Sequence, residues 1–172
     1  MEKSVLNANL FNEEIRFIGL TFLGCGLMTL GSLIRIPFIP VPFTLQTLAI
    51  FIWALTQSPK QAFASAVCYL LCATAGLPVL DGKANPLWIA GKCGGYLVAF
   101  PIAAYGIARM RQAGLASLGL LSGQALILFC GWIWLAAFIG AKAALVKGVL
   151  IFIPSAVCKA LAALAFVRWR KQ

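Results

Sequence analysis

"IPFIPVPFTLQTL", Ile36 to Leu48, sets Pro37, Pro40 and Pro42 between two strongly apolar segments, and puts Thr44, Gln46 and Thr47 at the head of the second. Proline breaks a helix interior but is tolerated at the first helical position. The helix after this break is therefore expected to begin at Pro42 or Phe43 and to run about 13 residues, or ~20 Å. That is shorter than the ~30 Å hydrocarbon core of a bilayer. In a membrane chain, interrupted helices of this kind expose backbone only where it lines a cavity.

Composition makes this a membrane chain. Its 172 residues are 62% hydrophobic and 10% charged, with mean hydropathy +0.97. Soluble domains lie nearer half apolar and a quarter charged. The apolar excess runs from end to end, which marks a polytopic membrane protein rather than one anchor. The expected fold is all-α, with six transmembrane helices and short proline-led helices 2 and 6 around an external-side ligand pocket. Residues 1–14 form an N-terminal interfacial segment with Leu6, Leu10 and Phe11 at helical spacing, 15–168 the six-span domain, and 169–172 a basic tail.

The spans are read as about Arg16–Ile34, Pro42–Leu55, Lys60–Ala75, Gly94–Met110 (kinked at Pro101), Leu115–Ile139, and a sixth ending before Arg168. The sixth repeats the opening motif. Pro154 interrupts "VLIFIPSAVCKALAALAF", so its helix is expected to start there, with Ala143–Ile153 folded over the outer end. With both termini cytoplasmic, eight cations lie inside (Lys3, Arg16, Lys60, Arg109, Arg111, Arg168, Arg170, Lys171) and five outside (Arg35, Lys83, Lys92, Lys142, Lys147). The positive-inside rule favours that orientation, in the cell membrane. Helices 2 and 6 then both present their amide ends to an external cavity, and the segment around Pro40 becomes a lid over it.

Several function classes drop out. Net charge +10 would point to nucleic acid in a soluble protein, but the cations fall between apolar blocks and lack aromatic stacking partners. Without histidine, His-metal sites and His acid–base catalysis are absent. The four acids all lie outside the spans, which removes the dyads an intramembrane enzyme would need. The six cysteines form no CxxC, and all but Cys93 lie in apolar runs, where they act as small hydrophobes. "GLPVLDGKA", Gly76–Ala84, has five residues between its glycines where a phosphate loop needs four, and Ala84 replaces the metal-binding hydroxyl. No enzyme activity, metal or cofactor is expected.

Lys159 is the remaining cation. An ionised lysine within a span costs ~2.5–3.5 kcal/mol, so it faces a cavity or a partner unless it snorkels to the interface. It shares a face with Ala156, Ala160 and Ala163, a small-residue packing stripe like Gly119/Gly123 in span 5. Close helix packing is the first reading of both stripes, a docking face for a membrane partner the second. Thr44 either binds a ligand or caps the helix after Pro42; Gln46 has no capping role to play. "GKCGGYL" offers Gly94–Gly95 for close approach and the amphipathic Tyr96, with Asn85 and Trp88 nearby.

"IPFIPVPFTLQTL", "ATAGLPVL", "GGYLVAFPIAAY" and "IPSAVCKALAAL" together resemble the BioY family of biotin transport proteins, the substrate-binding membrane subunits of energy-coupling-factor transporters. The resemblance spans nearly the whole chain past its N-terminal segment. It implies biotin as ligand, in a module with a scaffold membrane subunit and two ATPases. Expected substrate-binding residues are Arg35, Thr44, Gln46, Asn85, Tyr96 and Lys159. The carboxylate would meet Lys159 at one end or Arg35 or Lys92 at the other. Two departures stand out. The family's Gly-Pro-Thr-Gly-Gly-Tyr is Gly91, Lys92, Cys93, Gly94, Gly95, Tyr96 here, and its Pro-Gly-Asp-x-x-Lys is Pro154 to Lys159 with Ala156 in place of the aspartate. Ser155, Asn85 or Gln46 would have to replace that carboxylate's hydrogen bond to the ureido group, or the ligand differs: another vitamin, or a small anionic metabolite. A structural anchor subunit would bind no small molecule.

Overall fold

The computed structural model describes residues 2–169, with side chains from Phe11 onward. The side chains of Lys3, Leu6 and Leu10, and the tail cations Arg170 and Lys171, lie outside what is described. Six longer helices carry the fold: α1 (Glu2–Leu33), α2 (Gln46–Thr56), α3 (Pro59–Thr74), α4 (Gly94–Gln112), α5 (Ala116–Ile139) and α7 (Ile153–Trp169), with a short α6 (Ala141–Gly148) before the last. Three segments, Phe11–Leu33, Ala116–Ile139 and Ala141–Trp169, are long and apolar enough to cross a membrane. α1 runs unbroken past Glu13, Glu14 and Arg16. Its outward face, with Phe11, Ile15, Ile18 and Phe22 exposed, is apolar; Cys25 and Met28 turn inward.

The proline stretch departs from expectation. Arg35–Ile36 (β1) pairs antiparallel with Phe43–Thr44 (β2), Arg35 opposite Thr44 and Ile36 opposite Phe43. The three prolines sit in and beside the hairpin loop, where a missing N–H breaks no ladder. Because the backbone of Phe43 and Thr44 is committed to the strand pair, α2 cannot start at Pro42 or Phe43 and starts at Gln46. Leu45 N–H closes the entry, donating to the carbonyls of Gly31 (3.0 Å) and Ile34 (3.1 Å). The resulting 11-residue helix is ~16 Å long.

Other boundaries follow local chemistry. Ser58 caps α3, its Oγ accepting from Gln61 N–H at 3.3 Å with Pro59 as first helical residue. α4 carries Pro101 in its interior. α4 and α5 meet through glycines: a Cβ on Gly123 would lie 2.6 Å from Ile107, and one on Gly119 3.0 Å from Met110. The GxxxG is thus an internal packing face, not a docking face. Pro154 leads α7 as expected, at its second residue. The stretch before it is helical, however: α6 packs against α5, and a 3-10 turn, Leu150–Phe152, connects it to α7. Small residues allow α7 to lie on α2, with Ala156 and Ala163 buried.

Candidate functional site

The hairpin, the N-terminal ends of α2, α4 and α7, the middle of α5 and the 75–93 loop enclose a cavity of about 360 Å³, within the range of small-molecule sites. Its apolar wall includes Trp88, Leu97, Phe100, Ile127, Leu128 and Phe152. Phe152 stacks on Phe43 of β2 with ring centroids 4.3 Å apart, which seats the hairpin on the start of α7. Val41, in the hairpin loop, is buried and lines the cavity.

Five of the six expected residues, Thr44, Gln46, Asn85, Tyr96 and Lys159, line this one cavity; Arg35 does not. Its guanidinium Nη1 donates to Asp81 Oδ2 at 2.9 Å, joining β1 to the 75–93 loop at the surface. Asp81 itself lines the cavity. An exposed pair of this kind is worth about 0–1 kcal/mol. Arg35→Ala is therefore expected to change ligand affinity by no more than about fivefold, read by titration calorimetry.

Lys159 does not snorkel. From α7 its ammonium donates to the Thr44 carbonyl (2.7 Å) and to Thr47 Oγ1 (3.1 Å). It bridges the last helix to the hairpin's return strand and the start of α2. An ammonium has three N–H donors, so one remains for a ligand in the cavity that Lys159 lines. Thr44 caps nothing: α2's cap is Leu45, without a side-chain hydrogen bond. Instead Thr44 Oγ1 donates to Gln46 Oε1 at 2.9 Å. Gln46 Nε2 donates to the Tyr69 hydroxyl, which donates to the Val79 carbonyl at 3.1 Å. Ser32 Oγ reaches the same carbonyl at 2.7 Å. The relay ties the hairpin, α1, α2, α3 and the loop together at the cavity's edge.

Tyr96 stands on the first turn of α4 and reaches across Gly131 of α5, where any Cβ would lie 2.1 Å from its ring. Its hydroxyl donates to the Gly148 carbonyl at 2.8 Å, holding the end of α6. Gly94 and Gly95 pack as closely, against Ile89 and Trp134. Tyr96→Phe is expected to cost about 1 kcal/mol of stability, a fall of roughly 2–4 °C in thermal midpoint. Burial, with Asp81 nearby, pushes the Cys93 thiol up to about 11, so at neutral pH it lines the cavity as a neutral group.

Three features escaped the sequence reading. Gln124 of α5 lines the cavity, and its Oε1 is buried with no hydrogen-bond partner; a lone glutamine in a 24-residue apolar helix was the available signal. Tyr69, fully buried on α3, completes the Gln46 relay. The thiols of Cys25, Cys68 and Cys72 gather within 4.8 Å of one another between α1 and α3, from an i, i+4 pair and a third helix position that no sequence spacing connects.

Comparison with known proteins converges on the same frame. The model of the BioY family matches residues 2–172. The chain belongs to the BioY family. This member is 36% identical over 144 residues to a probable biotin transporter BioY of Pyrococcus horikoshii, covering 83% of this chain and 88% of that one. It is 32% identical over 137 residues to the Rickettsia prowazekii protein described in the same words, covering 76% and 71%. Among solved structures it superposes with a TM-score of 0.81 on the S-component for biotin from an ECF-type ABC transporter, at 28% identity and 94% coverage of both chains. A BioY-family chain with three span-length apolar segments is a multi-pass membrane protein.

Proposed function

We propose that this chain binds biotin for uptake across the cell membrane, as the substrate-binding partner of an energy-coupling module made of a scaffold membrane subunit and two ATPases, and catalyses no reaction itself. The cavity carries the reading. Its aromatic and aliphatic walls suit fused rings, the amides of Gln46, Asn85 and Gln124 suit a ureido group, and Lys159 suits an anionic or carbonyl oxygen. In this assignment Gln124 supplies the acceptor that Ala156 lacks. Arg35 leaves the ligand set, and Asn85, Tyr96, Thr44 and Gln46 remain in it as wall or as supports for the wall.

Both termini are assigned to the cytoplasm. Gln61 at the start of α3 donates to the Phe17 carbonyl (3.1 Å) and Thr21 Oγ1 (2.8 Å), so the first half of α1 lies at the end where α7 finishes. Lys60, Arg109, Arg111 and Arg168 are at the helix termini of that end, and positive loops stay inside.

Direct binding of labelled biotin to the purified protein tests the function. Saturable binding displaced by unlabelled biotin, but not by a carboxylate of similar size without a cyclic urea, is the expected result. Displacement by the second compound as effective as that by biotin would show that the cyclic urea is not recognised and assign a different anionic metabolite, and absence of binding would leave an anchor subunit.

A further inference from the structure

At the end of the bundle opposite the ligand cavity, the last turns of α2, α4 and α7 and the first turn of α5 surround a second cavity of about 400 Å³. Arg111 of α4 and Arg168 of α7 both line it, and no carboxylate does among the described residues. Arg111 donates through Nη2 to the Gln57 carbonyl at 2.9 Å, just beyond α2. Its Nε is buried and has no acceptor.

A guanidinium carries five N–H donors in a rigid fork, and a buried charged donor left unpaired costs more than a neutral one. A second arginine on the same cavity adds like-charge repulsion. One anion between them relieves the repulsion, a small turn of the Arg111 guanidinium brings its unpaired Nε to the same anion, and the fork matches phosphate oxygens two at a time. The rest of the wall selects among anions. Leu55, Leu164 and Val167 give the cavity an apolar side, which a freely soluble ion does not need. Depth points the same way: Trp169 follows Arg168 and is 72% exposed, and exposed tryptophans at span ends sit at the lipid headgroup level.

We propose that this cavity binds an anionic phospholipid, its headgroup phosphate held by Arg111 and Arg168 and the upper part of an acyl chain lying along Leu55, Leu164 and Val167. The site is independent of the biotin reading.

Thermal unfolding of the purified protein in a neutral detergent tests it, with added phosphatidylglycerol, phosphatidylcholine or millimolar inorganic phosphate. Phosphatidylglycerol is expected to raise the midpoint by at least about 3 °C, the other two by much less. Arg111→Gln with Arg168→Gln should abolish that increment while biotin affinity at the distant cavity stays within about twofold. In native mass spectrometry, phosphatidylglycerol adducts should persist on the wild type and be lost from the variant. Equal shifts from the two lipids, or a shift that survives the double substitution, would overturn the proposal. A shift reproduced by phosphate alone would make this a free-anion site and remove the lipid. If Arg111→Gln prevents folding, Arg168→Gln alone, at an exposed position, serves for the same comparisons.

Discussion

Lys159→Ala is expected to weaken biotin binding by at least about tenfold, with the protein still folded in detergent. A charge-assisted hydrogen bond contributes roughly 1.5–3 kcal/mol, and each 1.4 kcal/mol is about tenfold in affinity. The variant loses more than a ligand contact. It also releases the Thr44 carbonyl and Thr47 hydroxyl, and with them the anchor of the hairpin on α7. Two outcomes separate these roles. If the ammonium meets the biotin carboxylate, a neutral biotin amide binds the wild type more weakly and is nearly indifferent to the substitution. If Lys159 acts by holding the hairpin closed, acid and amide lose affinity in parallel, and a cysteine placed at Val41 becomes reactive to external reagents in the variant without ligand. A variant that binds both compounds like the wild type would remove Lys159 from the site and shift attention to Lys92, the other lysine on the cavity.

What the sequence made legible depended on the range of the interaction. Lys159 was readable because the cost of a charge in a span is local: wherever the chain goes, that ammonium needs company. The break at Pro37–Pro42 was readable for the same reason, since a proline's missing N–H is intrinsic. The start of α2 was not. It is set by Phe43 and Thr44 pairing with Ile36 and Arg35, and a two-residue strand leaves no periodic signature. The pairing of Arg35 was not legible either, because its partner, Asp81, lies 46 residues away in a loop; a cation counted by position alone looks free. Tyr96 was correctly placed on the cavity, yet its hydroxyl is spent on Gly148, 52 residues on. The GxxxG in α5 was legible as packing, and only the fold shows that α4 supplies the other side.

Gln124 is the residue that local reading could not rank, because an amide in an apolar helix is ordinarily satisfied by a neighbouring helix and only its missing partner in the fold marks it. Gln46 Oε1 already accepts from Thr44, Thr47 Oγ1 from Lys159, and Ser155 Oγ donates to the Phe152 carbonyl at 3.2 Å. Gln124 Oε1 is the buried side-chain oxygen left without a partner among the described residues. Its terminal torsion is soft, so a ureido N–H entering the cavity can draw the oxygen toward itself. Removing that acceptor leaves a buried ligand donor unpaired, at a cost of about 1–3 kcal/mol. Gln124→Leu, which keeps the bulk, should therefore weaken biotin about tenfold or more in calorimetry. An N-methylated ureido analogue should bind the wild type poorly and lose little further in the variant. The reciprocal test uses the family's own solution. Ala156 lines the same cavity, one helical turn before Lys159, so an aspartate there can accept the N–H with the lysine beside it. Ala156→Asp should restore most of the affinity lost in Gln124→Leu while adding much less to the wild type, a non-additivity that neighbours sharing one ligand group must show. If the two substitutions simply add, Gln124 and position 156 serve different parts of the ligand, and the acceptor for the ureido group is Asn85 or Asp81 instead.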